Sequence, residues 1–276
     1  MSGAGRTRRT PALRISAAGA TRTRETLAAE EPLLIRLVAG RAERTLAVMM
    51  RTPGNDFELA AGWLFAEGIV RARDEIHQIR YCTDDEQQFN NLSVVLRAAA
   101  LPDTHTIERH FATSSACGVC GASSLDALAA SGCEPLDNDM IIDSAILLGL
   151  PEQLRPAQQI FAATGGLHAA ALFDGAGRLL AVREDVGRHN ALDKLVGWAL
   201  LDGNIDLTRC VALMSGRASF ELAQKCVRAR IPILCAVSAP SSMAVDVARR
   251  FGLTLAGFVR DGRATIYTGE GRVAHP

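Results

Sequence analysis

The sequence predicts an α/β fold with a mixed, largely parallel sheet, preceded by a smaller N-terminal α+β region. Three observations carry that expectation. From Leu167 to Val259 short apolar runs alternate with stretches of helical period, the pattern of strands and helices packed in layers. Before it, segment 26–110 reads as a hairpin, a helix and two more strands, so 111–276 is set apart as the α/β domain. Finally, 276 residues with 48% hydrophobic and 22% charged content suffice for a sizeable core and more than one unit.

In chain order, Arg6, Arg8, Arg9, Arg14, Arg22 and Arg24 precede the first acid, Glu25, and no long apolar segment follows them. Residues 1–25 therefore read as a disordered basic tail, without the apolar core of an export signal or a membrane span. Leu33–Val38 and Leu46–Met49 form the hairpin, and Asn55 or Asp56 caps a helix running to Glu67, with Gly68 as its stop. Strands are expected at Ile76–Cys82 and Leu92–Leu96. Helices follow at Ile141–Leu150 and Pro151–Ala163. Then come the strand Leu167–Phe173, a turn at Asp174–Gly177, the strand Leu179–Val182 and the helix Ala191–Leu201. Cys210–Met214, Ile233–Val237 and Leu253–Val259 complete the strands, with helices Phe220–Ala229 and Ser242–Phe251 between them.

Lys and Arg total 30 and Asp and Glu total 30, so the formal net charge is zero. With few aromatics, this composition argues against a nucleic-acid partner. Seven cysteines, an odd number with no secretory pattern, fit reduced thiols in a cytoplasmic compartment. Cys82, Cys133, Cys210, Cys226 and Cys235 read as small buried hydrophobes.

Strand-to-helix joins in α/β sheets gather ligands. Three of them here, 184–190, 215–219 and 238–242, combine small residues with hydroxyl, amide or guanidinium donors at a helix N-terminus. Together they suggest a rim for a large anion with several phosphates, although ordinary capping accounts for any one of them. Only Lys194 and Lys225 among the basic residues are lysine, and both fall in the helices after such joins. They mark either a need for a compact ammonium or chance.

The segment Ser114–Leu125 places Cys117 and Cys120 three apart with a glycine after each, ahead of a short helix from Leu125 to Ala130 that Ser123 or Ser124 caps and Gly132 ends. A thiol near a helix N-terminus gains thiolate character. On its own the pair fits a redox dithiol, half a zinc site with His110 and Cys133, or a sulfur-carrying cysteine with a neighbour. A zinc deaminase is excluded, because no histidine or cysteine has glutamate two residues on and Ala116 stands where that motif has proline.

The run Ala116–Gly121, then Thr164–His168 with Arg183–Lys194, then Ser215–Arg217 through Lys225, resembles the FdhD family of formate dehydrogenase accessory sulfurtransferases. The likeness extends from about Glu31 to Tyr267. It implies a cytidine-deaminase-like core without deaminase zinc or any other bound catalytic metal, and a homodimer. It further implies a sulfur carrier that takes sulfur from a cysteine desulfurase and gives it to the molybdenum cofactor, as Mo-bis(molybdopterin guanine dinucleotide), before insertion into formate dehydrogenase. The persulfide would sit on Cys117, with Cys120 assisting. The cofactor would lie along Phe258, Val259, Arg260, Asp261, Gly262 and Arg263, with Arg217 and His189 nearby, and guanine nucleotides should serve as its surrogates. The competing reading is a molybdenum-cofactor chaperone that transfers no sulfur.

Overall fold

The computed structural model of the chain describes residues 5–82, 89–102, 125–126, 128–129, 132–137 and 139–275. Two strands open it, β1 (Thr7–Ser16) and β2 (Gly19–Ala28), paired antiparallel in one ribbon. Residues 1–25 are thus not a disordered tail from Thr7 onward. Alternating threonine, arginine and aliphatic residues supply two extended strands, and positive-φ Gly19 lets the chain reverse between them.

β3 (Glu31–Ala39), β4 (Ala42–Arg51), β5 (Ile76–Tyr81) and β6 (Asn91–Leu96) make a four-stranded sheet in the order β4-β3-β6-β5. Helix α1 (Asp56–Ala66) covers one face of it. Leu33, Ile35, Leu37 and Ala39 alternate along β3 and meet Leu59, Ala60, Trp63 and Leu64 of the helix in one core. No helix among the described residues is long and apolar enough to cross a membrane.

The second sheet has six strands: β8 (His168–Asp174), β9 (Leu179–Asp185), β10 (Cys210–Met214), β11 (Ile233–Ala236), β12 (Thr254–Arg260) and β13 (Arg263–Thr268). Their order is β13-β12-β11-β10-β8-β9. The sheet is mixed rather than largely parallel. β10, β11 and β12 run parallel, whereas β8 pairs antiparallel with β9 and β10, and β13 with β12. Connection length decides this. Helices α5 (Phe220–Arg228) and α6 (Ser242–Phe251) carry the chain between neighbouring parallel strands, the helix Arg188–Asp202 carries it from β9 past β8 to β10, and the turns after Asp174 and Arg260 close hairpins.

The inner strands β8, β10, β11 and β12 are largely apolar because both faces are covered, while the edge strands β9 and β13 are partly exposed. Ala170, Leu172, Ala212, Met214 and Leu234 point towards α4 (Arg188–Asp202), α5 and α6. Ala169, Phe173, Val211, Leu213 and Ile233 point the other way, towards α2 (Ser144–Ala157) and the short pair β7 (Ile142–Asp143) and β14 (Val273–Ala274). α2 runs through Pro151, where a boundary between two helices was expected, and stops only after Pro156. Leu147, Leu150 and Leu154 are buried on both sides of Pro151, and that burial outweighs the hydrogen bond the proline removes. A short helix, α3 (Gln159–Thr164), leads into β8.

The two sheets are joined through α1 and α4, which cross at Gly62 and Gly197. A Cβ on Gly62 would stand 1.9 Å from the Asp193 carbonyl oxygen, and one on Gly197 1.8 Å from that of Glu58. The helices touch backbone to backbone. Beside the crossing, the Lys194 ammonium lies 2.7 Å from the Asp185 carboxylate and donates to the Thr52 carbonyl at 2.8 Å. Asp185 accepts from the Thr52 N–H at 3.1 Å, and Asn190 donates to the Met50 carbonyl at 2.8 Å. Arg183 clasps Glu58 of α1 with two hydrogen bonds. Lys225, the other lysine, pairs with buried Asp193 at 2.6 Å. Both lysines are therefore committed to ion pairs inside the fold.

Gly197→Ala tests the crossing. Where space allows, Ala in place of a mid-helix Gly stabilises by about 1 kcal/mol. Here the added methyl meets a carbonyl that cannot move alone, so a net loss on the order of 1–3 kcal/mol is expected. Thermal unfolding should begin several degrees lower, and an unchanged or raised midpoint would contradict the close contact.

Candidate functional site

Strand direction brings the candidate loops together. β9 and β10 both oppose β8, and β11 and β12 follow β10, so the carboxyl ends of these four strands and the start of β8 share one edge of the sheet. Backbone hydrogen bonds stitch that edge. Ser215 N–H donates to Ala169 O at 2.9 Å, Ser238 N–H to Gly216 O at 3.1 Å, Ser241 N–H to Ala218 O at 2.9 Å and Phe258 N–H to Ser238 O at 3.1 Å. The Ser215 hydroxyl accepts from Ala169 N–H at 2.8 Å. The expected common rim is present.

The three helix N-termini on it differ. At α6 the Ser241 hydroxyl accepts from Ala244 N–H, which is ordinary capping. At α4 and α5 the cap positions, Gly187 and Ser219, make no side-chain cap. The Ser219 hydroxyl instead bonds His189 Nε2 at 3.1 Å, and that nitrogen stands 3.5 Å from the Glu221 carboxylate. Its hydrogen bond to His189 is the main reason Glu221 is held down at about 2. His189 thereby couples the starts of α4 and α5.

A cleft of about 660 Å³ opens between this rim and α2. His168, Ser215 and Gly216 form its sheet side, Glu152 and Arg155 its helix side, and Arg260 and Asp261 its far end. Burial, then the positive charges of Arg188, His189 and Arg217, push the His168 pKa down, so its imidazole is neutral at pH 7. The cleft thus holds a neutral hydrogen-bonding ring between side chains of both signs, Arg155 and Arg260 with Glu152 and Asp261.

The segment 258–263 reaches the cleft by an irregular backbone. Phe258 and Asp261 have φ of 53° and 54°, and the β12–β13 register slips between Gly257 and Arg260. A left-handed phenylalanine costs about 1–2 kcal/mol. Such bulges re-aim side chains at sheet ends. Here the Arg260 guanidinium is turned over the Phe258 ring at 5.8 Å. Arg260, Asp261, Gly262 and Arg263 are exposed at the hairpin tip and Phe258 is half-buried. Val259 is fully buried among Ile142, Phe173 and Val211, so only its backbone could face a ligand. Arg217 is exposed on the β10–α5 join. Of the sequence-nominated residues, Arg260 and Asp261 line the cleft itself, Arg217 and His189 bear on it through His168, and Arg263 pairs with Arg260 across the hairpin.

Cys117 and Cys120 lie outside the described residues. The chain beyond them is described at Leu125, Asp126, Leu128 and Ala129, which are helical, and Gly132 follows with φ of 84°. Leu128 is packed into the core under α4 and α5. Among the described residues no group of three or more His, Cys, Asp or Glu side chains gathers as a metal site would require. His168, Glu152 and Arg155 escaped sequence reasoning. His168 stood in a noted Gly-Gly-Leu-His run but showed no functional spacing, and nothing local marks which face of α2 meets the rim.

The model of the FdhD/NarQ family matches residues 28–274. Proteins named sulfur carrier protein FdhD are similar over nearly the whole chain. That of Streptomyces avermitilis is 51% identical over 264 residues, covering 93% of this chain and 92% of the relative. That of Sulfolobus acidocaldarius is 38% identical over 247 residues, covering 90% of each. A crystal structure from Desulfotalea psychrophila, described as a formate dehydrogenase accessory protein, superimposes with a TM-score of 0.76 at 26% identity, covering 98% of this chain and 100% of that one.

The described cysteines separate by reactivity. Cys210, Cys226 and Cys235 are buried, and burial pushes each thiol up to about 12. Cys133 is buried and Cys82 half-buried, its sulfur 3.1 Å from the Ser93 hydroxyl. In native protein treated with iodoacetamide at pH 8, peptide mapping should find Cys210, Cys226 and Cys235 unmodified. Labelling there at the rate of a free thiol would contradict the packing.

Proposed function

The chain belongs to the FdhD/NarQ family, and from that premise we propose that it is a sulfur carrier serving formate dehydrogenase. The observation that carries the proposal is the cleft at the sheet edge, where the strand-end rim meets Arg155, Arg260 and Asp261, in a family whose relatives are named for carrying sulfur.

Sulfur enters at Cys117. Its thiolate attacks the terminal sulfur of a persulfide on a cysteine desulfurase, one S–S bond forming as the donor's breaks and the donor cysteine leaving as thiolate. Cys120, three residues on, assists onward delivery without being the main carrier. Five described cysteines that are buried, half-buried or raised in pKa support this assignment by leaving the dithiol as the reactive pair.

The acceptor is the molybdenum cofactor in its bis(molybdopterin guanine dinucleotide) form, a substrate carrying two diphosphates. Arg217, Arg260 and Arg263 hold phosphate, with the first-turn N–H groups of α4 adding donors. Phe258 and the backbone of Val259, Asp261 and Gly262 shape the end of the cleft. His189 keeps the starts of α4 and α5 in register, and neutral His168 offers a hydrogen bond without repelling a cation. Guanine nucleotides bind as surrogates for the dinucleotide arm. The protein works as a cytoplasmic homodimer, and no catalytic metal of its own is needed, because the metal in the reaction arrives with the substrate.

Two variants separate the halves of the site. After incubation with a cysteine desulfurase and cysteine, the intact mass should rise by one reductant-labile sulfur, and Cys117→Ala should abolish this while keeping calorimetric GDP affinity. Replacing Arg217, Arg260 and Arg263 with Ala should do the reverse, each lost charge-assisted hydrogen bond costing on the order of 1.5–3 kcal/mol. A sulfur adduct persisting in Cys117→Ala would remove the carrier role from that residue. Full function in the same variant would instead favour a cofactor chaperone.

A further inference from the structure

The ribbon of β1 and β2 is out of proportion to what it packs against. Its root is fixed: Arg6 donates to Asn55 at 3.0 Å, Ala29 N–H donates to Arg6 O at 2.9 Å, and β2 packs on α3. The rest carries exposed aliphatic side chains, Leu13 at 58% and Ile15 at 76% exposure. A two-stranded ribbon is marginal alone in water, so a face of this kind implies a covering surface.

The pairing register defines that face. Pro11 opposes Arg24, Leu13 opposes Arg22, Ile15 opposes Ala20 and Arg9 opposes Thr26, and directly opposed residues share a side. One side of the ribbon is thus an aliphatic strip flanked by three guanidinium groups. Between residues 5 and 28 there are six arginines and a single acid, Glu25, which pairs with Arg14 on the other side. Arg9, Arg22 and Arg24 have no ion-pair partner among the described residues. The family model begins at residue 28, so the arm precedes the segment that the model matches.

Its position relates it to the site. Ala28 lies 3.9 Å from where a Cβ on Gly166 would stand, and α3 carries half-exposed Phe161; Gly166 and Phe161 both line the cleft. The ribbon therefore springs from the mouth of the cofactor cleft. We propose that it is the docking arm for the apo-form of the recipient dehydrogenase, gripping an acidic surface with aliphatic spots so that the recipient's entrance faces the cleft. This rests on the reading that the chain serves formate dehydrogenase. Charge complementarity names an acidic protein as the occupant, and the aliphatic strip without any aromatic to stack bases disfavours a nucleic acid.

The test uses the full chain and the apo-formate dehydrogenase of the same organism, with binding read by interferometry at several salt concentrations. Arg22→Glu/Arg24→Glu and Leu13→Asp/Ile15→Asp should each weaken association about tenfold or more, and wild-type affinity should fall with salt. GDP affinity, persulfide loading and the unfolding midpoint should stay at wild-type values in both variants. Unchanged association with loading intact would overturn the arm while sparing the functional reading. A wild-type protein that neither loads sulfur nor binds GDP would overturn that reading and the arm with it. If the variants turn a dimer into a monomer by light scattering, the occupant is a second copy and the proposal is wrong. It is equally wrong if they abolish binding to a duplex DNA probe while sparing the dehydrogenase.

Discussion

The buried pair of Lys194 and Asp185, with Thr52 held between them, is the constraint on which the rest depends. Both charged groups are removed from water, which would cost several kcal/mol for each ion alone. The cost is met by closeness and by saturation: the ammonium also reaches two carbonyls, and the carboxylate also takes N–H groups from Thr52 and Gly187 and the amide of Asn190. Burial draws the Lys194 pKa down and Asp185 opposes the shift. Such a pair is weak as a source of stability but demanding in geometry. It accepts one position of Thr52, and so fixes the first sheet against the end of β9.

Fixing β9 fixes the rim. Asp185 ends that strand, and three residues later α4 begins, with His189 in its first turn bonded to Ser219 at the start of α5. From there backbone hydrogen bonds carry the alignment across the loops after β10 and β11 to Phe258. The chain of contacts runs from a structural ion pair to Phe258, two residues before Arg260 at the cleft. It explains how one motif, 183–194, serves two purposes: Arg183 grips α1 and Asp185, Asn190 and Lys194 hold the end of β4 and Thr52, while Arg188 and His189 face the site.

Much of the fold was legible in the residues, for identifiable reasons. Strands β8, β10, β11 and β12 are buried on both faces and their helices carry apolar stripes, so period alone located them, with α6 and β10 matching to the residue. Long-range geometry was not legible. The fraction of parallel pairing depends on connections, and the role of Lys194 depends on a carbonyl 142 residues away. The ribbon was missed because its dense arginine hid a β pattern with no core-facing side, and β13 because its alternation around Ile266 is weak. In the site, the shared rim and the exposed tip at 260–263 could be anticipated. Val259 could not be separated from its neighbours until its burial was seen.

A second cavity of about 650 Å³ offers a rival home for an anion, on the far side of α5, where Arg71, Arg228 and Arg230 converge with Glu134. Basic side chains alone do not choose between the two; the account rests on the strand-end rim with its aligned backbone donors. Hydrogen–deuterium exchange with and without GDP decides directly. The account predicts slower exchange in peptides covering 215–219 and 258–263, with no change in those covering 68–71 and 227–230. Protection confined to the second pair of peptides would contradict it.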